Sequence, residues 1–133
     1  METRVDGTKL EFGNADVAMV LARMSEEEID ALSFGAIMLD RHGMILWYSD
    51  AEARLASRKA KDVLGKNFFL EVAPCTNRKE FRGRFEEGVN SGNLNASFKY
   101  HFDFLMNATD VQIHMVNATT PGAYWVLVRK ISY

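Results

Sequence analysis

The only cysteine of the chain, Cys75, has a position that could support chemistry at its thiol. It lies between Pro74 and Thr76, just before a helix that the sequence predicts from Asn77. A helix N-terminus carries positive partial charge and free N–H groups, which favour a thiolate and bind a negatively charged oxygen. Cysteine is also commonly buried as a small hydrophobic residue, so an inert thiol is the alternative interpretation. One cysteine excludes an internal disulfide and a multi-cysteine metal site.

Tyr48 and Glu52 form a second candidate pair, four residues apart, where a predicted strand ends and a predicted helix begins. If both side chains turn inward, they can donate hydrogen bonds to one buried oxygen, provided that Glu52 is protonated. Burial among apolar groups raises the pKa of a carboxyl and can keep it neutral. In the alternative interpretation, Glu52 only closes a capping box onto Ser49.

Arg58 and several aromatic residues could complete a ligand site around these groups. The Arg58 guanidinium could cover a buried anionic ring, although a surface arginine is the commoner case. The aromatic side chains either wall a pocket or belong to an ordinary core, and they are Phe68, Phe69, Tyr100 and Phe102.

Other catalytic and metal-binding patterns find little support. His42, His101 and His114 are scattered and lack metal-ligand spacing, so no metal site is expected. The sequence contains no dinucleotide-binding or phosphate-binding glycine loop and no nucleophile elbow. A thiol enzyme that pairs Cys75 with a histidine stays open, but no flanking protease signature supports it.

The elements that must position these residues follow from hydrophobic periodicity. Apolar residues spaced as on one helix face predict a short helix over residues 17–24, and a capping box at Ser25 and Glu28 predicts another. Two short β-prone runs, 34–39 and 44–49, flank a turn and predict a hairpin. Short helical pieces then lead to a longer helix between Asn77 and residue 90.

The last third of the chain predicts three strands. Residues 94–106 alternate between apolar and polar side chains, which indicates a strand with one face in the core. Residues 111–118 and 124–131 predict two more strands. Together with the hairpin, these segments predict an α+β protein in which helices cover one face of a five-stranded antiparallel sheet.

Composition is that of an ordinary globular protein. The chain has 133 residues, 47% of them hydrophobic and 26% charged, so we expect a single structural domain. A net charge of −2 argues against non-specific binding of nucleic acid. Charge is uneven, since residues 1–33 carry a net −5 and residues 54–84 a net +6. Without a secretory signal or an apolar run that could span a membrane, a cytoplasmic location is expected.

The chain resembles the photoactive yellow protein family over most of its length, and the order and spacing of the shared motifs are specific. The motifs are Phe34–Ile37, Ile45–Tyr48, Ala51-Glu52, Gly65–Phe69, Val72–Thr76, Glu87–Val89, Ser91–Asn95 and Tyr124–Val126. The resemblance implies a PAS fold, with an N-terminal helical cap over residues 1–33 and a PAS core over residues 34–133.

The resemblance also implies a blue-light photoreceptor and not an enzyme. A 4-hydroxycinnamoyl (p-coumaric acid) chromophore would be held as a thioester on Cys75, whose backbone N–H binds the thioester carbonyl. Tyr48 and Glu52 would hydrogen-bond its phenolate, and Arg58 would screen it from solvent. Further residues would wall the pocket or influence recovery, and they are Phe68, Phe102 and Met106.

Light would isomerise the trans double bond, after which a proton passes from Glu52 to the phenolate. The buried carboxylate left behind would then loosen the N-terminal helices as the signal. The expected partner is an unidentified downstream signalling protein, with no nucleic acid or membrane, and the expected state is a monomer or weak dimer. The alternative is a non-photoactive PAS module that binds another ligand or mediates dimerisation.

Two residues depart from the family pattern beside Tyr48. Ala56 stands where the family often has a threonine whose hydroxyl bonds the tyrosine, and Trp47 replaces a smaller polar residue. Because Ala56 has no hydroxyl, Tyr48 loses one support, and we expect a broadened or shifted absorption band.

Restoring the hydroxyl tests this expectation. Ala56→Thr should sharpen or shift the visible band of the reconstituted protein, because the tyrosine regains a hydrogen-bond partner. The measurement is an absorption spectrum of both proteins under the same conditions. An unchanged spectrum would show that Ala56 has no such effect.

Overall fold

One antiparallel sheet organises the computed structural model, which describes residues 17–56, 59–102 and 109–131, without the side chains of 54–56 and 109. The sheet has the strand order β2-β1-β5-β4-β3, so the hairpin of the first two strands joins the last strand of the chain. The strands are β1 (Gly35–Asp40), β2 (Ile45–Tyr48), β3 (Asn95–Phe102), β4 (Thr109–Asn117) and β5 (Ala123–Lys130). The predicted five-stranded antiparallel sheet is confirmed.

Short helices fill the segments around the strands. They are α1 (Val17–Ala22), α2 (Glu26–Asp30), α3 (Asp50–Ala56), α4 (Ala60–Val63) and α5 (Arg84–Ser91). Between α4 and α5 lie single turns of other helix types, at Phe68–Val72 (π), Pro74–Thr76 (3₁₀) and Lys79–Gly83 (π). In the described part of the chain, no helix has the length and apolar character needed to cross a bilayer.

The long helix predicted from Asn77 begins later than expected. Its first turn, from Lys79, is π-helical, and regular α-helix starts only at Arg84. The predicted capping box of α2 is confirmed, because the Ser25 N–H donates to Glu28 and the Glu28 N–H donates to the Ser25 hydroxyl.

The sheet has a hydrophobic core on each face. On the inner face, side chains such as Ile37, Phe81 and Met115 pack between the sheet and the helical segments that follow β2. On the outer face, α1 and α2 bury residues such as Leu21 against Trp125. The N-terminal helices therefore lie on the opposite side of the sheet from the helices of the middle region.

A β-bulge in β2 decides which side chains face the inner core. Met38 pairs with Trp47 and the next residue, Leu39, pairs with Ile45, so Leu46 is an extra residue in the ladder. Ile45 and Tyr48 therefore both lie in the inner core, whereas Trp47 packs against the outer one. Simple alternation would have put Ile45 and Trp47 on the same face.

Helix α3 lies unusually close to β1 at Gly35. A Cβ atom built on Gly35 would stand 1.9 Å from Glu52 Oε1 and 2.9 Å from Glu52 Cα. Only a glycine leaves room for the helix and the Glu52 carboxyl at this distance. The absence of a side chain at Gly35 thus allows Glu52 to lie directly on the sheet.

Gly35→Ala should therefore lower the free energy of unfolding by about 3 kcal/mol, because either α3 or β1 must shift. Urea denaturation measures the change. Gly83→Ala is the matched control, since Gly83 has helical dihedral angles and its added Cβ would be 3.3 Å from the Lys79 side chain. Equal stability of Gly35→Ala and the parent protein would contradict the close-packing argument.

Candidate functional site

The side chain of Glu52 is buried and takes no part in a capping box. Its backbone N–H donates to the Ser49 hydroxyl at 3.0 Å, as at an N-cap. The reciprocal bond is missing, because the Ser49 N–H donates instead to the Ala36 carbonyl at 2.9 Å. The interpretation that Glu52 only closes a capping box is wrong. The Ser49 N–H, which the Glu52 carboxylate would have to accept, is already bonded to β1.

The Glu52 carboxyl is therefore available for another partner. The residue is 2% exposed, and its Oε1 has no hydrogen-bond partner in the described part of the chain. Removal from water raises the pKa of Glu52 to about 8. At neutral pH the group is thus mainly a protonated carboxylic acid, which can donate a hydrogen bond. A buried polar oxygen without a partner is rare in folded proteins and indicates a place for a bound group.

Tyr48 reaches the same region from the sheet. It is 4% exposed and lies in the inner core because of the bulge at Leu46. Ile37 of β1 is directly opposite Tyr48, and Gly35, which contacts Glu52, is two residues away on the same face. The structure thus places Tyr48 and Glu52 on the same side of the sheet.

Cys75 packs against the same inner core in a half-buried position. It is the middle residue of the 3₁₀ turn, which Thr76 stabilises by donating its hydroxyl proton to the Ala73 carbonyl at 2.6 Å. Tyr100 of β3 donates its hydroxyl to the Cys75 carbonyl at 2.5 Å. The turn that carries the thiol is therefore attached to the sheet.

The expected helix N-terminus is not adjacent to the thiol. The following helix starts at Lys79 with a π-helical turn, four residues beyond Cys75. The effect of this helix terminus on the thiol stays a prediction. The local support of Cys75 comes from its own short turn and from Tyr100.

An aromatic cluster lies in the same inner core as these groups. Phe81 lies at its centre, with ring centroids 6.0 Å from Phe68, 5.1 Å from Tyr100 and 6.3 Å from Phe102. Phe68 and Phe102, both predicted to wall a pocket, are fully buried here. The Asn67 amide oxygen accepts the N–H groups of residues 69 and 70, which helps to fix the turn that carries Phe68.

Three predicted site residues are not placed at the side-chain level. Arg58 and Met106 lie outside the described residues, and Ala56 is described only as the last residue of α3. Their roles stay predictions.

The histidines do not complete a second site in the described structure. His101 forms an exposed pair with Asp110 at 2.6 Å, and His114 lies 2.9 Å from the Asn95 amide oxygen. Both lie on the outer face of the sheet, where His114 is buried and His101 is exposed, whereas Cys75 packs on the inner face. Burial lowers the pKa of His114. Among the residues with described positions, no group of three His, Cys, Asp or Glu side chains could hold a metal ion.

Sequence reasoning missed the contributions of Gly35 and the hydroxyl of Tyr100. A glycine inside a predicted strand signals a close approach of another chain segment, and this signal was available at Gly35. The bond from Tyr100 to Cys75 joins residues 25 positions apart, so no local pattern could have revealed it.

Comparisons with known proteins identify the fold and the family of the chain. The family model described as PAS fold matches residues 23–128. A photoactive yellow protein from Rhodothalassium salexigens is 48% identical over 122 residues, which cover 92% of this chain and 98% of that protein. One from Halochromatium salexigens is 47% identical over 120 residues, which cover 90% of this chain and 96% of that protein.

A solved structure is similar over nearly the same length. The photoactive yellow protein domain of the sensor histidine kinase Ppr from Rhodospirillum centenum superposes with a TM-score of 0.82 at 49% identity. The match covers 85% of this chain and 99% of that domain.

The sheet topology and the matching family model define a PAS domain. The chain belongs to the photoactive yellow protein family of blue-light photoreceptors. Because ordinary side chains do not absorb blue light, this membership implies a bound chromophore.

The raised pKa of Glu52 predicts how stability depends on pH in the apoprotein. The folded protein keeps a proton that the unfolded chain releases above pH 4.5, so the free energy of unfolding falls as pH rises from about 4.5 to about 8. At about 1.4 kcal/mol per pKa unit, this group contributes a loss of roughly 5 kcal/mol across that window.

Glu52→Gln should remove this part of the pH dependence, because the amide does not titrate. Urea denaturation at a series of pH values measures it. Glu87→Gln, at an exposed position of α5, is the matched control and should keep the slope of the parent protein. A slope that is the same in Glu52→Gln and in the parent would show that Glu52 titrates normally.

Proposed function

We propose that Cys75 holds a 4-hydroxycinnamoyl (p-coumaric acid) chromophore as a thioester, with Tyr48 and Glu52 hydrogen-bonding its phenolate oxygen. When bound, this group supplies the absorption of blue light and a double bond that isomerises from trans to cis. Arg58 screens the site from solvent, and Ala56, Phe68, Phe102 and Met106 line it or adjust its properties.

The buried carboxyl of Glu52 is the observation that carries this proposal. Its Oε1 has no partner in the described part of the chain, and its raised pKa keeps a proton available for donation. A phenolate oxygen fits this environment because it accepts strong hydrogen bonds from a carboxylic acid and from a tyrosine hydroxyl. The half-buried thiol of Cys75 packs against the same core and offers the attachment point.

Proton loss from Glu52 is the step that converts light absorption into structural change. A carboxylate at this position would be buried and without a cationic partner among the described residues, which costs several kcal/mol. A small domain has only about 5–15 kcal/mol of stability, so a cost of this size is sufficient to open part of the structure. The opening relieves the burial of the charge.

A direct connection leads from Glu52 to the N-terminal helices. Glu52 lies in the first turn of α3, and the N–H of Asp50, the first residue of this helix, donates to the Asp30 carboxylate of α2 at 2.8 Å. A shift of α3 would therefore disturb α2 and the outer core. We include in the proposal that residues 1–33 act as a helical cap on a PAS core formed by residues 34–133.

The output of the proposed photoreceptor is a change in the binding of a downstream signalling protein. The similar domain from Rhodospirillum centenum is part of a sensor histidine kinase, which illustrates how such a domain is coupled to signalling. A cytoplasmic location and the absence of an enzymatic activity complete the proposal.

Reconstitution tests the proposed chromophore. Apoprotein mixed with an activated ester of p-coumaric acid should give a yellow adduct that bleaches in blue light and recovers in the dark. Cys75→Ser is the matched control and should stay colourless, because a hydroxyl is a much weaker nucleophile than a thiolate. Mass spectrometry of peptides locates the adduct.

Glu52→Gln provides a second arm of the same experiment. Its adduct should absorb at longer wavelength, since an amide is a weaker hydrogen-bond donor to a phenolate than a carboxylic acid. A normal band in this variant would remove Glu52 from the proposed site. Failure to form any visible-absorbing adduct would contradict the proposal and favour a PAS module with another ligand.

A further inference from the structure

A cavity of about 360 Å³ opens on the outer face of the sheet, on the opposite side from Cys75. Helices α1 and α2 form one wall with apolar residues such as Leu21 and Ile29, and residues 118–120, which follow β4, form the other. We call this cavity the outer groove. Its volume falls within the range of small-molecule pockets, which is roughly 300–1,000 Å³.

Both tryptophans of the chain line the outer groove. The ring of Trp47 stands at 89° to that of Trp125, with their centroids 6.1 Å apart, so that one ring presents its edge to the face of the other. Trp125 is almost fully buried and Trp47 is half-buried. Tryptophan rings carry negative charge on their faces and are the best aromatic partners for an organic cation.

The rim of the outer groove carries a matching negative charge. Glu26, the first residue of α2, lines it, and the capping box between Ser25 and Glu28 fixes the start of this helix. Glu26 is the charged residue among the described lining, and residues 17–33 around it contain four acids and one base. The hydroxyls of Thr119 and Thr120 provide hydrogen-bonding groups on the opposite wall.

We propose that the outer groove binds a small organic cation with a flat apolar body, such as an arylalkylammonium ion. The ring of the ligand packs against Trp47 and Trp125, and its ammonium group faces Glu26. A neutral ligand of the same shape gains the apolar contact but not the attraction to the carboxylate. An anionic ligand is repelled by the acidic rim. The site is separate from the proposed chromophore site and does not depend on it.

Tryptophan fluorescence of the full chain tests this site, because both reporters lie in the groove. The probes are 2-phenylethylammonium, 2-phenylethanol and 3-phenylpropionate, which share a ring and differ in charge. The ammonium should change the emission saturably, the alcohol should bind about fivefold more weakly, and the carboxylate should not bind. Isothermal titration calorimetry repeats the comparison without an optical reporter.

Variants assign the charge selectivity to one residue. Glu26→Gln should weaken binding of the ammonium about fivefold and leave binding of the alcohol unchanged. Glu27→Gln is the matched control, since Glu27 is exposed on the same helix but does not line the groove. Trp47→Leu should abolish binding, as measured by calorimetry.

Three results would overturn the proposal. The first is the absence of saturable binding of the ammonium to the full chain, and the second is equal affinity for all three probes. The third is a change in emission with protein concentration alone, accompanied by a dimer mass in analytical ultracentrifugation, which would assign the groove to a second copy of the chain.

Discussion

The burial of one carboxyl group against the sheet is the constraint on which the site depends. Glu52 can lie there only because Gly35 has no side chain. Its carboxyl does not cap α3, because the Ser49 N–H donates to the Ala36 carbonyl of β1 instead. Desolvation raises its pKa to about 8, so the group is neutral but poised to lose a proton. Loss of that proton would leave a buried carboxylate, which costs several kcal/mol.

The two faces of the sheet carry different groups of residues. The inner face carries Tyr48, Glu52 and Cys75, whereas the outer face carries α1, α2 and the groove lined by both tryptophans. The adjacent residues Trp47 and Tyr48 of β2 belong to different faces by strand alternation, and the bulge at Leu46 puts Ile45 on the same face as Tyr48. Tyr48 of the inner core and Trp47 of the outer core are therefore joined by a single peptide bond.

Much of the site could be predicted because local spacing and residue type carried the information. The alternation along β3 marked its inner face, and the separation of Tyr48 from Glu52 matched a strand followed directly by a helix. The start of the last long helix was less predictable, since its first turn is π-helical and no apolar spacing distinguishes that turn from an α-helix.

By itself, the sequence determined the five strands, the capped helix α2 and the identity of the residues able to do chemistry. Periodicity and capping act over a few residues, so they can be read along the chain. Only the tertiary structure decided that the Ser49 N–H bonds to β1, that Leu46 forms a bulge and that Tyr100 anchors Cys75. These outcomes depend on groups from distant segments that compete for the same space and hydrogen bonds, and that competition exists only once the chain has folded.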